Sequence, residues 1–365
     1  MKILGVESSC DETAASVVED GRRLLSNVVN SQIDIHQHYG GVVPEIAARS
    51  HIEAIGPVIN EALKQADCTW DDIDAVAVTY APGLVGSLLV GTLAARTLAI
   101  LHDKPLYPIH HVEGHVYANF LVEDGRPTAD PALTLPSSQP SFPMLALIVS
   151  GGHTQLVLFR DHGDYELLGQ TQDDAVGEAF DKVAKIIGLP YPGGPSVAKA
   201  ALDGDVDAYR FPKSRMPNPY DFSFSGLKTA VLRAVQADVG KDHTFPSHEL
   251  PGLLTAKQRN DFAASFQHTA VETLVDHTVA AFTDYQPASV VIAGGVAANQ
   301  ELRRQLAERL PIAIEYAPMS LCTDNAVMIA TLGYYYAQCH QPADPYQMEV
   351  VPSLSMTKTA WNLHR

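Results

Sequence analysis

Met144-Leu145-Ala146-Leu147-Ile148-Val149, then Ser150-Gly151-Gly152-His153-Thr154, then Leu156-Val157-Leu158-Phe159 reads as strand, tight turn of small residues, strand. The same order stands at the start of the chain. Ile3-Leu4-Gly5-Val6 runs into Glu7-Ser8-Ser9-Cys10-Asp11-Glu12-Thr13 and on into Ala14-Ala15-Ser16-Val17-Val18. Working outward, a second pair of passages matches. Ala75–Thr79 leads through Pro82, Gly83 and Gly86 to an apolar helix over Leu88–Leu101, and Ser289–Ala293 leads through Gly294-Gly295 and Ala298-Asn299 to a charged helix ending near Arg309. A third pair closes each half. Leu106–Ile109 precedes a helix over His110–Phe120, and Ile312–Tyr316 precedes a helix from about Thr323 to Ala337. Three paired elements in one order predict a duplicated α/β unit, two lobes with a cleft between them. The bounds expected are an N-terminal lobe over 1–122, with a C-terminal helix at about 327–341 packing back on it, and a C-terminal lobe over 143–326. A surface excursion at 123–142 and a tail at 342–365 complete the chain. Residues 238–252 are polar and irregular, and are expected to be exposed and mobile.

Composition narrows the class. The chain has 365 residues, 46% of them apolar, enough for two ordinary cores. No run approaches the roughly 18–20 apolar residues of a membrane span, and Met1–Gly5 enters a strand too short for a signal segment, so a cytoplasmic protein is expected. Cys10, Cys68, Cys322 and Cys339 are scattered without a CxxC pair, which fits reduced thiols. A net charge of −17 argues against indiscriminate nucleic-acid binding, leaving local patches at Lys213, Arg215, Lys228 and Arg233 or at Arg303, Arg304 and Arg309. The plainer account of those residues is solvated charge on helix faces.

The chemistry-bearing residues start with His111 and His115. Four apart on a helix, their imidazoles share a face about 6 Å apart along the axis, a spacing at which two histidines hold one metal. Glu113 stands between them, so the order is not that of the zincins, whose glutamate directly follows the first histidine. Asp324, at the matching position of the second lobe, is the expected third ligand, reaching from across the cleft; a helix cap is its plainer role. Two imidazoles and a carboxylate suit Fe(II) or Zn(II).

Ser150, Gly151 and Gly152 bare backbone N–H groups to an anion. Gly294-Gly295 resembles a nucleotide-flanking turn, with Asn299 in reach of a base or ribose, although neither turn is a Walker loop or GxGxxG. Asp181, on a helix over 173–185, pairs with Lys185 or joins the rigid loop Tyr191–Ser196, through Gly194, in clamping ribose hydroxyls. Asp11 and Glu12 offer carboxylates that position a metal-bound phosphate or orient a nucleophile.

Taken together, GVESSCDETAASVV (5–18), GGVVPEIAARSH (40–51), APGLVGSLLVG (81–91), HHVEGH (110–115), VSGGHTQL (149–156), DDAVGEAFDKVAK (173–185), YPGGP (191–195), FSFSGLKTA (222–230), AGGVAANQELR (293–303) and CTDNAVMIA (322–330) carry a resemblance. The chain resembles the tRNA threonylcarbamoyladenosine transferase family, once labelled O-sialoglycoprotein endopeptidase. The resemblance implies the two-lobed actin, sugar kinase and Hsp70-type fold. It also implies transfer of a threonylcarbamoyl group from threonylcarbamoyl-AMP to N6 of the adenosine just 3′ of the anticodon, in tRNAs reading codons that begin with A. By that resemblance His111, His115 and Asp324 are metal ligands, Ile148, Val149, Ser150, Gly151 and Gly152 form the substrate-phosphate loop, and Asp181, Gly194 and Asn299 bind nucleotide. Asp11 and Glu12 then face the reaction centre as catalytic carboxylates. The implied partners are tRNA, a non-catalytic paralogue docking on the N-terminal lobe, a small P-loop ATPase, and a separate synthase supplying threonylcarbamoyl-AMP. The rivals are a metalloprotease, which lacks the zincin base, a sugar-kinase-like phosphotransferase, and an inactive scaffold, against which the intact HHVEGH and Asp324 argue.

Overall fold

The computed structural model describes residues 1–123, 133–314 and 316–358. These divide into two compact units, one of residues 1–141, 161–164 and 315–365, the other of 142–160 and 165–314.

The first unit is built on a five-stranded sheet ordered β3-β2-β1-β4-β5. Its strands are β1 (Lys2–Glu7), β2 (Glu12–Glu19), β3 (Arg23–Ser31), β4 (Ala75–Ala81) and β5 (Leu106–His110). β1 pairs antiparallel with β2 and parallel with β4, and β4 runs parallel to β5. A central strand covered on both faces needs apolar residues on both, and Ile3, Leu4 and Val6 are all fully buried. The helices are α1 (Ile33–His36), α2 (Pro44–Gln65), α3 (Val85–Leu101) and α4 (His111–Tyr117). Proline opens α2 at its first turn, where a missing N–H costs nothing. Beneath α2 and α3, Val58, Ile59, Ala62, Ala95 and Ala99 close over Leu4, Val6, Val76 and Val78. Each buried valine, leucine or isoleucine among these stabilises the unit by about 1.5–3 kcal/mol.

The second unit carries a four-stranded sheet, β8-β7-β6-β9. Its strands are β6 (Met144–Val149), β7 (Thr154–Asp161), β8 (Asp164–Gln170) and β9 (Ser289–Ala293). β6 is antiparallel to β7 and parallel to β9, the same connections as β1 with β2 and β4. Its helices are α5 (Val176–Ile187), α6 (Gly193–Ala201), α7 (Ser225–Asp238), α8 (Ala256–Tyr285) and α9 (Gln300–Arg309). Thr255 and Gln258 close a capping box that fixes where α8 begins.

The third expected echo is only half present. Ile312, Ala313, Ile314 and Tyr316 are not in a strand, and Glu315 lies outside the described residues, so nothing described matches β5 here. Pro311 and Pro318 bracket the run, Ile312 and Ile314 stay half exposed, and the next amide, Ala317 N–H, donates to Asn119 Oδ1 at 3.0 Å. The chain then enters α10 (Ala326–Cys339), which packs on β1 and α4 of the first unit. Gly5 is what lets it in. A Cβ there would stand 2.3 Å from Ala326 O and 2.7 Å from Ala330 N.

Two irregular stretches are more ordered than their composition suggests. Residues 238–252 are exposed but tied down: Gln236 Nε2 donates to Phe245 O, Arg233 to His243 O, and Leu250 is fully buried. Of the excursion at 123–142, residues 124–132 lie outside the described residues. In the remainder Leu135 is buried and Gln139 Nε2 donates to Phe120 O. The tail forms a strap on the first unit. The Arg96 guanidinium donates to the carbonyls of Pro345, Tyr346 and Met348, and His110 Nε2 meets Leu354 O at 3.1 Å. No helix among the described residues is long and apolar enough to cross a membrane.

Candidate metal centre and glycine-lined turns

His111 opens α4 directly after β5, and His115 follows one turn later on the same face. Their ring centroids lie 4.6 Å apart, nearly edge to face. Asp324 lies just before α10, and its Oδ1 stands 3.5 Å from His111 Nε2 and 3.3 Å from His115 Nε2. One ligand atom from each of the three falls within 4.8 Å of the others. Asp324 therefore belongs to the same compact unit as the histidines, not to the second lobe where the sequence placed it. The reason is α10: once Gly5, Ala326 and Ala330 bring its backbone onto β1, the residues just before it arrive beside α4. The helix cap is Asn325, whose side chain accepts from Met328 N–H, and this leaves the cap role of Asp324 unneeded.

The donor set fits a cation. His115 is 2% exposed, yet neither of its ring nitrogens has a hydrogen-bond partner. A buried imidazole left so costs stability, unless its lone pair is held for a ligand. Burial works against a charge on His111, but Asp324 and then Glu7 outweigh it and raise its pKa to about 9.

Behind His111 stands Glu7, fully buried at the end of β1. Its Oε2 lies 3.1 Å from His111 Nδ1, its Oε1 accepts from Ser9 N–H, and Thr79 Oγ1 donates to it. Burial pushes the Glu7 carboxyl up, but the facing His111 prevails and holds it below its ordinary value. The sequence reading placed Glu7 only in a polar turn. What could have singled it out is an acidic residue closing an otherwise apolar central strand.

Asp11 is 8% exposed and sits in the β1–β2 turn, whereas Glu12 is already the first residue of β2. Glu12 Oε1 accepts from Ser31 Oγ at 3.1 Å. Burial, with Asp324 and Asp11 nearby, pushes the Glu12 carboxyl up to about 10. Burial likewise pushes the Cys10 thiol up, which leaves it unreactive.

In the second unit the turn residues gather differently. Ile148 and Val149 are fully buried strand residues whose backbones pair with Gln155 and Thr154, so they support the turn from below. Ser150 Oγ accepts from His153 N–H, and Gly177 N–H, in the first turn of α5, donates to Ser150 O. Gly294 has φ +89°, and a Cβ there would stand 2.5 Å from Val149 O, so only glycine brings β9's turn against β6's. Gly151, Gly152, Gly194 and Gly295 all face open space where a side chain would stand. Asp181 Oδ1 accepts from Gly193 N–H at 2.6 Å. Gly193 and Gly194 are the first turn of α6, not a loop, with Pro192 as its extended N-cap. Asn299 is committed locally: its Oδ1 caps α9 at Leu302 N–H and its Nδ2 donates to Gln267 Oε1.

Most of the candidate basic residues are engaged. Lys213 pairs with Glu272 and Asp276, Lys228 with Asp174, Arg304 with Glu301 and Glu308, and Arg309 with Asp276. Arg233 is held by Gln236 and His243, and Arg303 donates to Ala297 O. Arg215 stays exposed.

Comparison with known proteins finds matches over most of the chain. The family profile described as TsaD, tRNA N6-adenosine threonylcarbamoyltransferase, matches residues 23–331. A tRNA N6-adenosine threonylcarbamoyltransferase of Thermomicrobium roseum is 50% identical over 351 residues, 94% of each chain. One of Symbiobacterium thermophilum is 51% identical over 357 residues, 97% of this chain and 96% of the relative. Among solved structures, T. kodakarensis HypF superposes with a TM-score of 0.57 at 14% identity, over 92% of this chain and 48% of that one. Full-length HypF in its phosphate- and nucleotide-bound form gives 0.55 at 13%, over 94% of this chain and 47% of that one. At those identities the likeness bears on fold alone.

Proposed function

Because the chain belongs to the tRNA N6-adenosine threonylcarbamoyltransferase family, we propose that His111, His115 and Asp324 hold the divalent cation, Fe(II) or Zn(II), at which its reaction is organised. The enzyme transfers the threonylcarbamoyl group of threonylcarbamoyl-AMP to N6 of the adenosine 3′ of the anticodon, releasing AMP, in tRNAs reading codons that begin with A. It is an acyltransferase, and its two α/β units are those of the actin, sugar kinase and Hsp70-type fold.

The observation that carries the metal reading is the convergence of three ligand atoms within 4.8 Å around a buried His115 with no other partner. A bound divalent cation supplies Lewis-acid neutralisation of charge on the acyl-phosphate donor. The chain's own residues do the rest. Gly151 and Gly152 offer backbone to the phosphate, supported by the open space where their side chains would stand, while Ser150 N–H closes the turn on His153 O. Ile148 and Val149 hold that turn on the sheet. Asp181, through Gly193, fixes the α6 entrance where Gly194 leaves room for the nucleotide. Asn299 contributes by anchoring α9 beside Gly295. At the first unit, Asp11 and Glu12 are the carboxylates placed to accept a proton from the attacking amine. The target base must leave its stack to be acylated.

The partners proposed are a non-catalytic paralogue, a P-loop ATPase and a threonylcarbamoyl-AMP synthase, acting in the cytoplasm where tRNA is modified. An exposed apolar stripe on α2 and α3, with Ile52 64%, Val85 56% and Leu93 53% exposed, supports docking of the paralogue on the first unit.

The test supplies labelled threonylcarbamoyl-AMP and unmodified tRNA to the chain with its paralogue and ATPase. Wild type yields labelled adenosine, and the folded His111→Ala, His115→Ala double variant yields none. Full turnover by that variant would remove the metal from the reaction.

A further inference from the structure

Two imidazoles converge on Asp324, but they are not held alike. His111 has two neighbours at Nδ1, Glu7 Oε2 and Ser9 Oγ, each at 3.1 Å. His115 has no hydrogen-bond partner at Nδ1. Of the two groups facing His111, the carboxylate is the stronger acceptor for an N–H. Glu7 is itself clamped, by Ser9 N–H on Oε1 and by Thr79 Oγ1 on Oε2. It is fully buried and cannot swing to solvent. Its strand is the central one, paired on both sides, so its position is set by β2 and β4 together.

We infer that Glu7 is a positioning residue for the metal centre: it accepts the proton of His111 Nδ1, fixes that tautomer and aims Nε2 at the point shared with His115 Nε2 and Asp324 Oδ1. Without an acceptor at Nδ1 the neutral ring is free to place its proton on Nε2, and a protonated nitrogen cannot ligate. A carboxylate behind a ligating histidine also raises the basicity of the other nitrogen. The clamp thus makes His111 the preorganised ligand and His115 the one that the ion itself orders. Ser9 serves chiefly through its amide, which holds Glu7.

This inference rests on the metal reading above, and the experiment separates the two. Zinc affinity of the full chain is measured by competition with a chromophoric chelator, alongside the unfolding midpoint of the metal-free protein and the histidine 15N shifts of the zinc-loaded one. Glu7→Gln, similar in shape but uncharged, is expected to bind zinc about 10–100-fold more weakly, and the Nδ1–H signature of His111 is expected to weaken. Ser9→Ala, which keeps the amide, should lose less. A wild-type chain that binds no zinc overturns the metal reading itself. A wild type that binds, with Glu7→Gln equal to it in affinity and 15N shifts, overturns only the role of Glu7. Should Glu7→Gln fail to fold, Glu7→Asp carries the test. Its carboxylate falls a methylene short of Nδ1, so it must also lose affinity, and wild-type binding by Glu7→Asp overturns the inference.

Discussion

The two units share a topology and use it in opposite ways. In the first, the ends of β1, β4 and β5 deliver buried side chains: Glu7, Thr79 and His111 meet there, and α10 adds Asp324. In the second, the corresponding ends of β6 and β9 deliver bare backbone, at Gly151-Gly152 and Gly295. A metal needs a few directed lone pairs, so a single atom decides whether it binds. A phosphate accepts hydrogen bonds from many N–H groups, so the phosphate site proposed for the second unit needs only that nothing stand in the way.

That contrast can be broken from either side. On the second unit, the effect on binding is expected from Gly151→Val. A Cβ there meets nothing within 4 Å, and the space it enters is the one proposed for the donor's phosphate. Affinity for AMP, by titration calorimetry, should fall by about tenfold, or roughly 1.4 kcal/mol, with the unfolding midpoint unchanged. Unchanged affinity would move the phosphate elsewhere. On the first unit, Gly5→Ala should act through stability. A methyl 2.3 Å from Ala326 O forces α10 off β1, at an expected cost of about 1–3 kcal/mol in urea unfolding, and metal retention should fall with it. A variant with full stability but no metal would separate α10's seat from Asp324's position.

The smallest effect sharpens how far the first unit depends on buried polar side chains. His162 accepts or donates at Tyr117 OH, 3.1 Å away, and stacks on Tyr335 at 3.9 Å between centroids. Burial lowers its pKa to about 4, against an ordinary value near 6.5. The unfolded chain therefore binds the proton first as the pH falls. The stabilisation is complete above about pH 6.5 and is lost progressively toward pH 4. His162→Phe should melt with a flatter pH dependence over that window. An unchanged slope would assign the acid lability to other groups.

How legible each part was follows from the range of the interactions. The strand–turn–strand passages at Ile3–Val18 and Met144–Phe159 could be read because apolar runs and turn residues act over a few positions. His111 and His115 were readable because helix geometry alone puts them on one face. The YPGGP passage read as a loop because a helix entrance and a glycine loop share a composition, and here Gly193 opens α6. Asn299, read as reaching a base or ribose, caps α9 at Leu302 N–H and donates to Gln267 Oε1, a contact that no local pattern announces. The run at Ile312 alternates like a strand yet finds no partner among the described residues, since pairing depends on a neighbour and not on pattern.

The chain's own order of residues thus determined the duplicated α/β plan, the histidine pair, the glycine turns and the family. Only the tertiary structure decided that Asp324 sits in the histidines' own unit, and that Glu7 backs His111. The first depends on how closely α10 can approach Gly5, and the second on which strand end lies beside β5. Both are contacts between residues far apart in sequence, more than a hundred in the case of Glu7 and His111, and no local pattern encodes such a distance.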